Sequence, residues 1–209
     1  MSSNKYGYIA DTGPEQAFRS NTGVFNPADI NELIEENKWT NFGQLELIET
    51  VTVSNVSAVN FQSLGNFNVH FLTLNNLESS TNNIRYGLRF YESGVLETGS
   101  NYQWAYQQQL SGGSDSDVYE DSWTSIPIQI EQPTGFNAGG YSYLYNLLDS
   151  TQYSYMTNQH TRVSNALIGE FGMGVMTQQS QVDGFQISGY DSSTPNFSGV
   201  MSLYGIRFS

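Results

Sequence analysis

The chain has two histidines, His70 and His160, and any imidazole-based acid–base or metal chemistry must run through them. Each sits midway along a strand-like stretch, and neither has a second histidine or a carboxylate at the spacing of an HxH or HExxH motif. A nucleophilic triad would need one of them beside a serine in a strained turn, and no G-x-S-x-G sequence occurs. The spacing therefore favours satisfied or surface histidines. A glycosidase would need two carboxylates held a fixed distance apart. Glu46, Glu49, Glu92, Glu97, Glu120, Asp121, Glu131 and Glu170 are scattered over many segments, and no spacing singles out a pair. The densest acidic run, GGSDSDVYEDSW, holds Asp115, Asp117, Glu120 and Asp121. Asp-x-Asp beside glycine is raw material for a calcium site, but the full spacing of a calcium loop is missing, so a solvated loop tip is the expectation. The residues assign no catalytic group, no cofactor site and no metal ligand, and the expectation is a protein without enzymatic activity.

Aromatic residues offer binding chemistry instead. Tyr102, Trp104 and Tyr106, then Tyr141, Tyr143 and Tyr145, then Tyr153 and Tyr155 recur every second residue, so each row marks one face of a strand. Rings on an inner face would be core, and rings on an outer face would stack on sugars or on another subunit. Core or subunit interface is the favoured reading, because cross-strand ring pairing already accounts for the rows. Carbohydrate contact stays open at the loop ends near Asp149 and Gln159. Arg85 and Arg89, two of five arginines, share one strand face opposite Ile84, Tyr86, Leu88 and Phe90. In so acidic a chain they pair most simply with neighbouring carboxylates, and the sharper alternative is contact with an acidic partner subunit.

These side chains must be positioned by β-structure. Residues 1–44 read as an arm, with Tyr6, Tyr8, Phe18 and Phe25 as isolated aromatics that need a surface, either the chain's own domain or a neighbouring subunit. Within it, NPADINELIEEN predicts one short helix, with Asn26 as N-cap, Pro27 in the first turn and Ile30, Leu33 and Ile34 as a narrow apolar stripe. Residues 45–209 read as one domain of short strands separated by Gly, Ser and Asn turns. Eleven strands are expected, over 45–53, 58–62, 67–74, 84–91, 102–108, 125–130, 141–147, 153–157, 162–171, 182–188 and 199–208. A phase shift near Phe71 and Leu72 suggests a bulge or burial on both faces. The last strand has apolar residues on both sides, so it is expected to be central or covered by a partner. The fold class is all-β, an antiparallel sandwich of jelly-roll type.

Seven basic residues stand against twenty acidic ones, for a formal net charge of −13. Such a chain repels phosphate backbones and anionic membrane surfaces, so neither nucleic acid nor membrane is expected as a partner. There is no cysteine, which removes disulfide scaffolds and zinc–thiolate sites. The opening MSSNKYGYIADTG lacks the apolar core of a signal peptide, and no run approaches the length of a membrane span.

YGYI near the start, SNTGVFNPADINELIEENKWTNFGQLELIET, the VHFLTL strand, RFYESGVLETGSNYQWA and the ending SGVMSLYGIRF together resemble structural proteins of marine tailed bacteriophages, including phages of cyanobacteria. The resemblance implies a β-sandwich or jelly-roll module present in several copies, decorating the capsid or forming part of a fibre, collar or tail attachment. It also implies the major capsid protein or tail and collar components as partners, a homo-oligomer with a trimer as the commonest state, and a virion location after synthesis in the host cytoplasm. Under this reading Tyr6, Tyr8, Phe18, Phe25, Arg85 and Arg89 are the expected partner contacts. The alternative is a carbohydrate-binding module of a receptor-binding appendage, which would contact host glycans.

Overall fold

The computed structural model describes residues 45–82, 84–132, 134–163, 166–190 and 196–206, together with Ala28, Asn31 and Glu35. The chain divides into two compact units, residues 1–43 with 208–209, and residues 44–207. In the first unit Ala28, Asn31 and Glu35 are helical, inside the stretch expected to be a helix.

The second unit is built of β-strands. They are β1 (Leu45–Val56), β2 (Ala58–Phe61), β3 (Val69–Ser79), β4 (Ile84–Glu92), β5 (Val95–Leu96), β6 (Tyr102–Leu110) and β7 (Asp115–Trp123). Next come β8 (Ile126–Gln132), β9 (Ala138–Tyr145), β10 (Tyr153–Val163), β11 (Leu167–Gln179), β12 (Val182–Gly189) and β13 (Phe197–Ile206). They form two antiparallel sheets packed as a sandwich. The larger runs β1-β13-β3-β9-β10-β11-β6-β7, and the smaller runs β2-β12-β4-β5 with β8 also paired to β4.

The inner faces share one core. Leu72, Leu74, Leu144, Met156, Met176, Met201 and Leu203 of the larger sheet meet Phe61, Leu88, Phe90, Ile126, Phe185 and Ile187 of the smaller. Burying a side chain of this size contributes roughly 1.5–3 kcal/mol relative to exposure. The alternation read over Ile84 to Phe90 is the core side of β4, with Tyr86, Leu88 and Phe90 fully buried. The last strand is central, between β1 and β3, with Met201 and Leu203 in the core. The bulge in β3 lies at Asn75 and Asn76, between the register positions of Leu74 and Leu77, and Asn76 takes φ 51°. The strand does not bury both faces: Leu72 and Leu74 are core, while Phe71 is half-buried against Tyr141, Tyr143 and Tyr204 on the side of the sheet away from the core.

Two strands escape the sequence pattern. β5 is two residues long, closed by Ser93 and Gly94 at φ 51° and 76°, the left-handed pair that a tight hairpin requires. β7 corrects the expectation of a loop tip, because the acidic run is a nine-residue edge strand paired to β6. An edge strand can hold alternating carboxylates, since water solvates one side and the neighbour supplies the backbone hydrogen bonds. The expected break between strands at 157–162 is also displaced. β10 continues to Val163, and the hairpin turn falls before Leu167.

A glycine lets the layers approach, since a Cβ on Gly174 of β11 would stand 2.3 Å from Ile126 Cγ2 of β8; within the larger sheet, a Cβ on Gly140 of β9 would stand 2.2 Å from Cδ2 of its cross-strand partner His160.

Candidate functional site

The side of the larger sheet facing away from the core carries the most distinctive chemistry. Registration across β9, β10, β11 and β6 sets Tyr145, Tyr155, Val175 and Gln103 in one row. The adjoining row runs Tyr143, Thr157, Met173, Ala105 and, on β7, Tyr119. A third runs Tyr141, Gln159, Phe171, Gln107 and, on β7, Asp117, whose Oδ1 accepts from Gln107 Nε2 at 3.3 Å. Asp117 is the one charged side chain in these three rows. Met173 is 63% exposed, Tyr119 75%, Phe171 45% and Tyr155 42%, which is unusual for large apolar groups sharing one face.

Ala105 is short and lies between the long side chains of Met173 and Tyr119, so the second row dips there. The dip is part of a groove of about 700 Å³, walled by Tyr119, Tyr145, Tyr155 and Met173, with Gln103, Asn146, Thr157 and Asp121 supplying polar groups. The rings are held in place. Tyr145 stacks on Tyr143 with centroids 6.3 Å apart, and its hydroxyl lies 3.4 Å from Thr157 Oγ1. Tyr155 meets the edge of Tyr153 at 6.5 Å. Asn146 sits at φ 61°, and its side-chain amide donates to the Tyr153 carbonyl at 3.3 Å.

The tyrosine rows therefore divide. Tyr102 and Trp104 are buried core, and the Tyr102 hydroxyl accepts from Phe90 N–H at 3.0 Å and donates to the Glu97 carbonyl at 3.2 Å. Burial holds the Tyr102 phenol well above its usual range. The rows at Tyr141 to Tyr145 and Tyr153 to Tyr155 belong to the outer face.

The histidines are internal. His70 donates from Nε2 to the Leu64 carbonyl at 2.8 Å, and burial pulls its pKa down. His160 is 2% exposed, and burial pulls its pKa to about 3, so it is a neutral imidazole at any physiological pH. Beside it on the inner face, the Gln108 side chain donates to Glu170 Oε1 at 2.7 Å, and Arg162 Nη2 lies 4.0 Å from the same oxygen. This row spans three neighbouring strands and braces the sheet from within.

Arg89, expected at a partner contact, is 8% exposed. Its guanidinium donates to Ser188 Oγ at 2.8 Å, to the Gly189 carbonyl at 3.0 Å and to the Tyr190 carbonyl at 3.2 Å. The end of β12 and Tyr190 thus supply acceptors for this guanidinium from within the chain. Arg85 is half-buried, with its carbonyl accepting from Tyr190 N–H at 2.9 Å. Tyr6, Tyr8, Phe18 and Phe25 lie outside the described residues. Asp115, Asp117 and Asp121 are exposed along an extended strand, where alternate residues stand roughly 7 Å apart, too far to converge on one cation. Among the described residues no three His, Asp or Glu side chains cluster as metal ligands would.

No protein-family model matches the chain, and no curated protein matches it. The groove was not legible in the sequence. Tyr119 lay inside a run read as a loop, and Met173 and Val175 fall in β11, beyond the strand expected over 162–171.

Proposed function

We propose that this chain is a non-enzymatic structural protein of a tailed-phage virion, a jelly-roll module that decorates the capsid or forms part of a fibre, collar or tail appendage. The observation that carries the reading is the outer face of the eight-stranded sheet, rich in exposed apolar side chains away from the carboxylates of β7. At its end near the β10–β11 turn, Val163, Leu167 and Phe171 are 46%, 54% and 45% exposed, an apolar patch suited to packing against copies of the chain or neighbouring virion proteins. The strand order supports the jelly-roll part. With β5–β7 and β10–β11 set aside, the sheets read β1-β13-β3-β9 and β2-β12-β4-β8, the wrapped double Greek key of that fold. The two hairpins β6–β7 and β10–β11 are then insertions that pair with each other through β11 and β6 and widen one sheet. The resemblance to marine phage structural proteins supplies the particle.

Light scattering on the purified chain and cryo-electron microscopy of the intact particle test this. A homo-oligomer that Leu167→Glu with Phe171→Glu dissociates, and density for the sandwich on the virion, are the expected results. A monomer unaffected by both substitutions, or a virion without the sandwich, would overturn the proposal.

A further inference from the structure

We infer that the groove between Tyr155 and Tyr119 is a binding site for a neutral oligosaccharide chain. The lining combines what such a ligand presents. Sugar rings carry apolar C–H faces that lie on aromatic rings, and hydroxyls that pair with amide, hydroxyl and carboxylate groups. Tyr119 and Tyr155 offer ring surface, while Gln103, Asn146, Thr157 and Asp121 offer donors and acceptors at the rim. The volume of about 700 Å³ falls in the range of ligand clefts. Its shape follows from the sheet. The groove crosses from β9 to β7, four strand spacings or roughly 19 Å, which suits an extended chain and not a compact ion.

Charge narrows the class further. Glu120 and Asp121 are the charged residues of the lining, no lysine or arginine contributes to it, and the whole chain carries −13. That field opposes sulfated, phosphorylated or sialylated ligands. The site is also largely organised before a ligand arrives, because Tyr145 is held by Tyr143 and Thr157, and Tyr155 by Tyr153. Less ordering on binding means more of the contact energy appears as affinity. The groove is distinct from the apolar patch at Val163 and Leu167, so the inference does not rest on the virion reading.

The test is a titration of the full chain with neutral gluco-, galacto-, manno- and N-acetylglucosamine-configured oligosaccharides, beside sulfated and sialylated chains, read by calorimetry and by glycan array. Tyr119→Ala and Tyr155→Ala are the groove variants, and Leu167→Glu is the control at the far end of the face. Both tyrosines are well exposed, so thermal unfolding should confirm that the variants fold. The expected result is binding of at least one neutral chain, weakened about tenfold or more by each tyrosine substitution and unchanged by the control. No neutral chain bound at millimolar concentration, binding indifferent to both tyrosines, or preference for the anionic chains would each overturn the inference. Oligomer dissociation by Leu167→Glu with glycan binding retained would separate this site from the assembly face.

Discussion

Acidification should expose the cost of burying His160. The imidazole is 2% exposed, its Nε2 has no hydrogen-bond partner, and burial lowers its pKa from 6.5 to about 3. Between those two values the unfolded chain binds a proton that the folded chain does not, so the stability present above pH 6.5 is lost as pH falls toward 3. Each pH unit within this window removes about 1.4 kcal/mol, so falling from about pH 6.5 to about pH 4 removes about 3 kcal/mol through this one group. That is a large part of the 5–15 kcal/mol, roughly, that a domain usually has. His70, also lowered by burial, acts in the same direction. The assay is urea unfolding at several pH values in that window, for the native chain and for His160→Leu, which keeps bulk over Gly140 and removes the titration. The variant should lose about 3 kcal/mol less than the native chain over the same interval. Equal pH slopes for both chains would refute the reasoning.

Three further outcomes follow from particular contacts. Gly174→Ala should destabilise by about 1–3 kcal/mol, because its Cβ would press on Ile126 Cγ2; in a double-mutant cycle Ile126→Ala should absorb at least about 1 kcal/mol of that cost, and simple additivity would count against the contact. Arg89→Ala removes a donor from the Gly189 carbonyl and Ser188 Oγ and leaves the Tyr190 carbonyl with Ser125 Oγ, so denaturant unfolding should report a loss of about 2–3 kcal/mol, and Arg89→Lys, which lacks the planar fork, should recover only part of it. Tyr119→Ala should leave the free energy of unfolding within about 0.5 kcal/mol of native, since the ring is 75% exposed.

The sandwich was legible because one face of each central strand must be apolar. Ile84 to Phe90 announced β4 through strict alternation, and the apolar residues on both sides of the last strand announced its central place. The pattern failed where packing, not period, decides. The segment DSDVYEDSW alternates, but its alternating groups are carboxylates, and only pairing with β6 makes it a strand. For Arg89 the sequence could show which face of β4 it occupies. It could not show that Ser188, Gly189 and Tyr190, a hundred residues on, supply its hydrogen-bond acceptors. The groove was harder still, since it exists only where Thr157, Met173, Ala105 and Tyr119, from four strands, come into register. Nothing local to any one strand marks it.

Among the described residues the eight-stranded sheet ends at β1 and β7, and both ends are acidic: Glu46 and Glu49 on one, Asp115, Asp117, Glu120 and Asp121 on the other. A strand edge is a template on which another chain can grow. Here two copies approaching edge to edge would bring like charges into opposition, so continuous sheets of the fibril kind are discouraged at neutral pH. Contact through the apolar patch at Val163, Leu167 and Phe171 does not bring these edges into opposition. A protein crowded at high local concentration can thus stay sociable along one direction and solitary along the other, and salt or acid, by screening or neutralising the carboxylates, would remove that distinction.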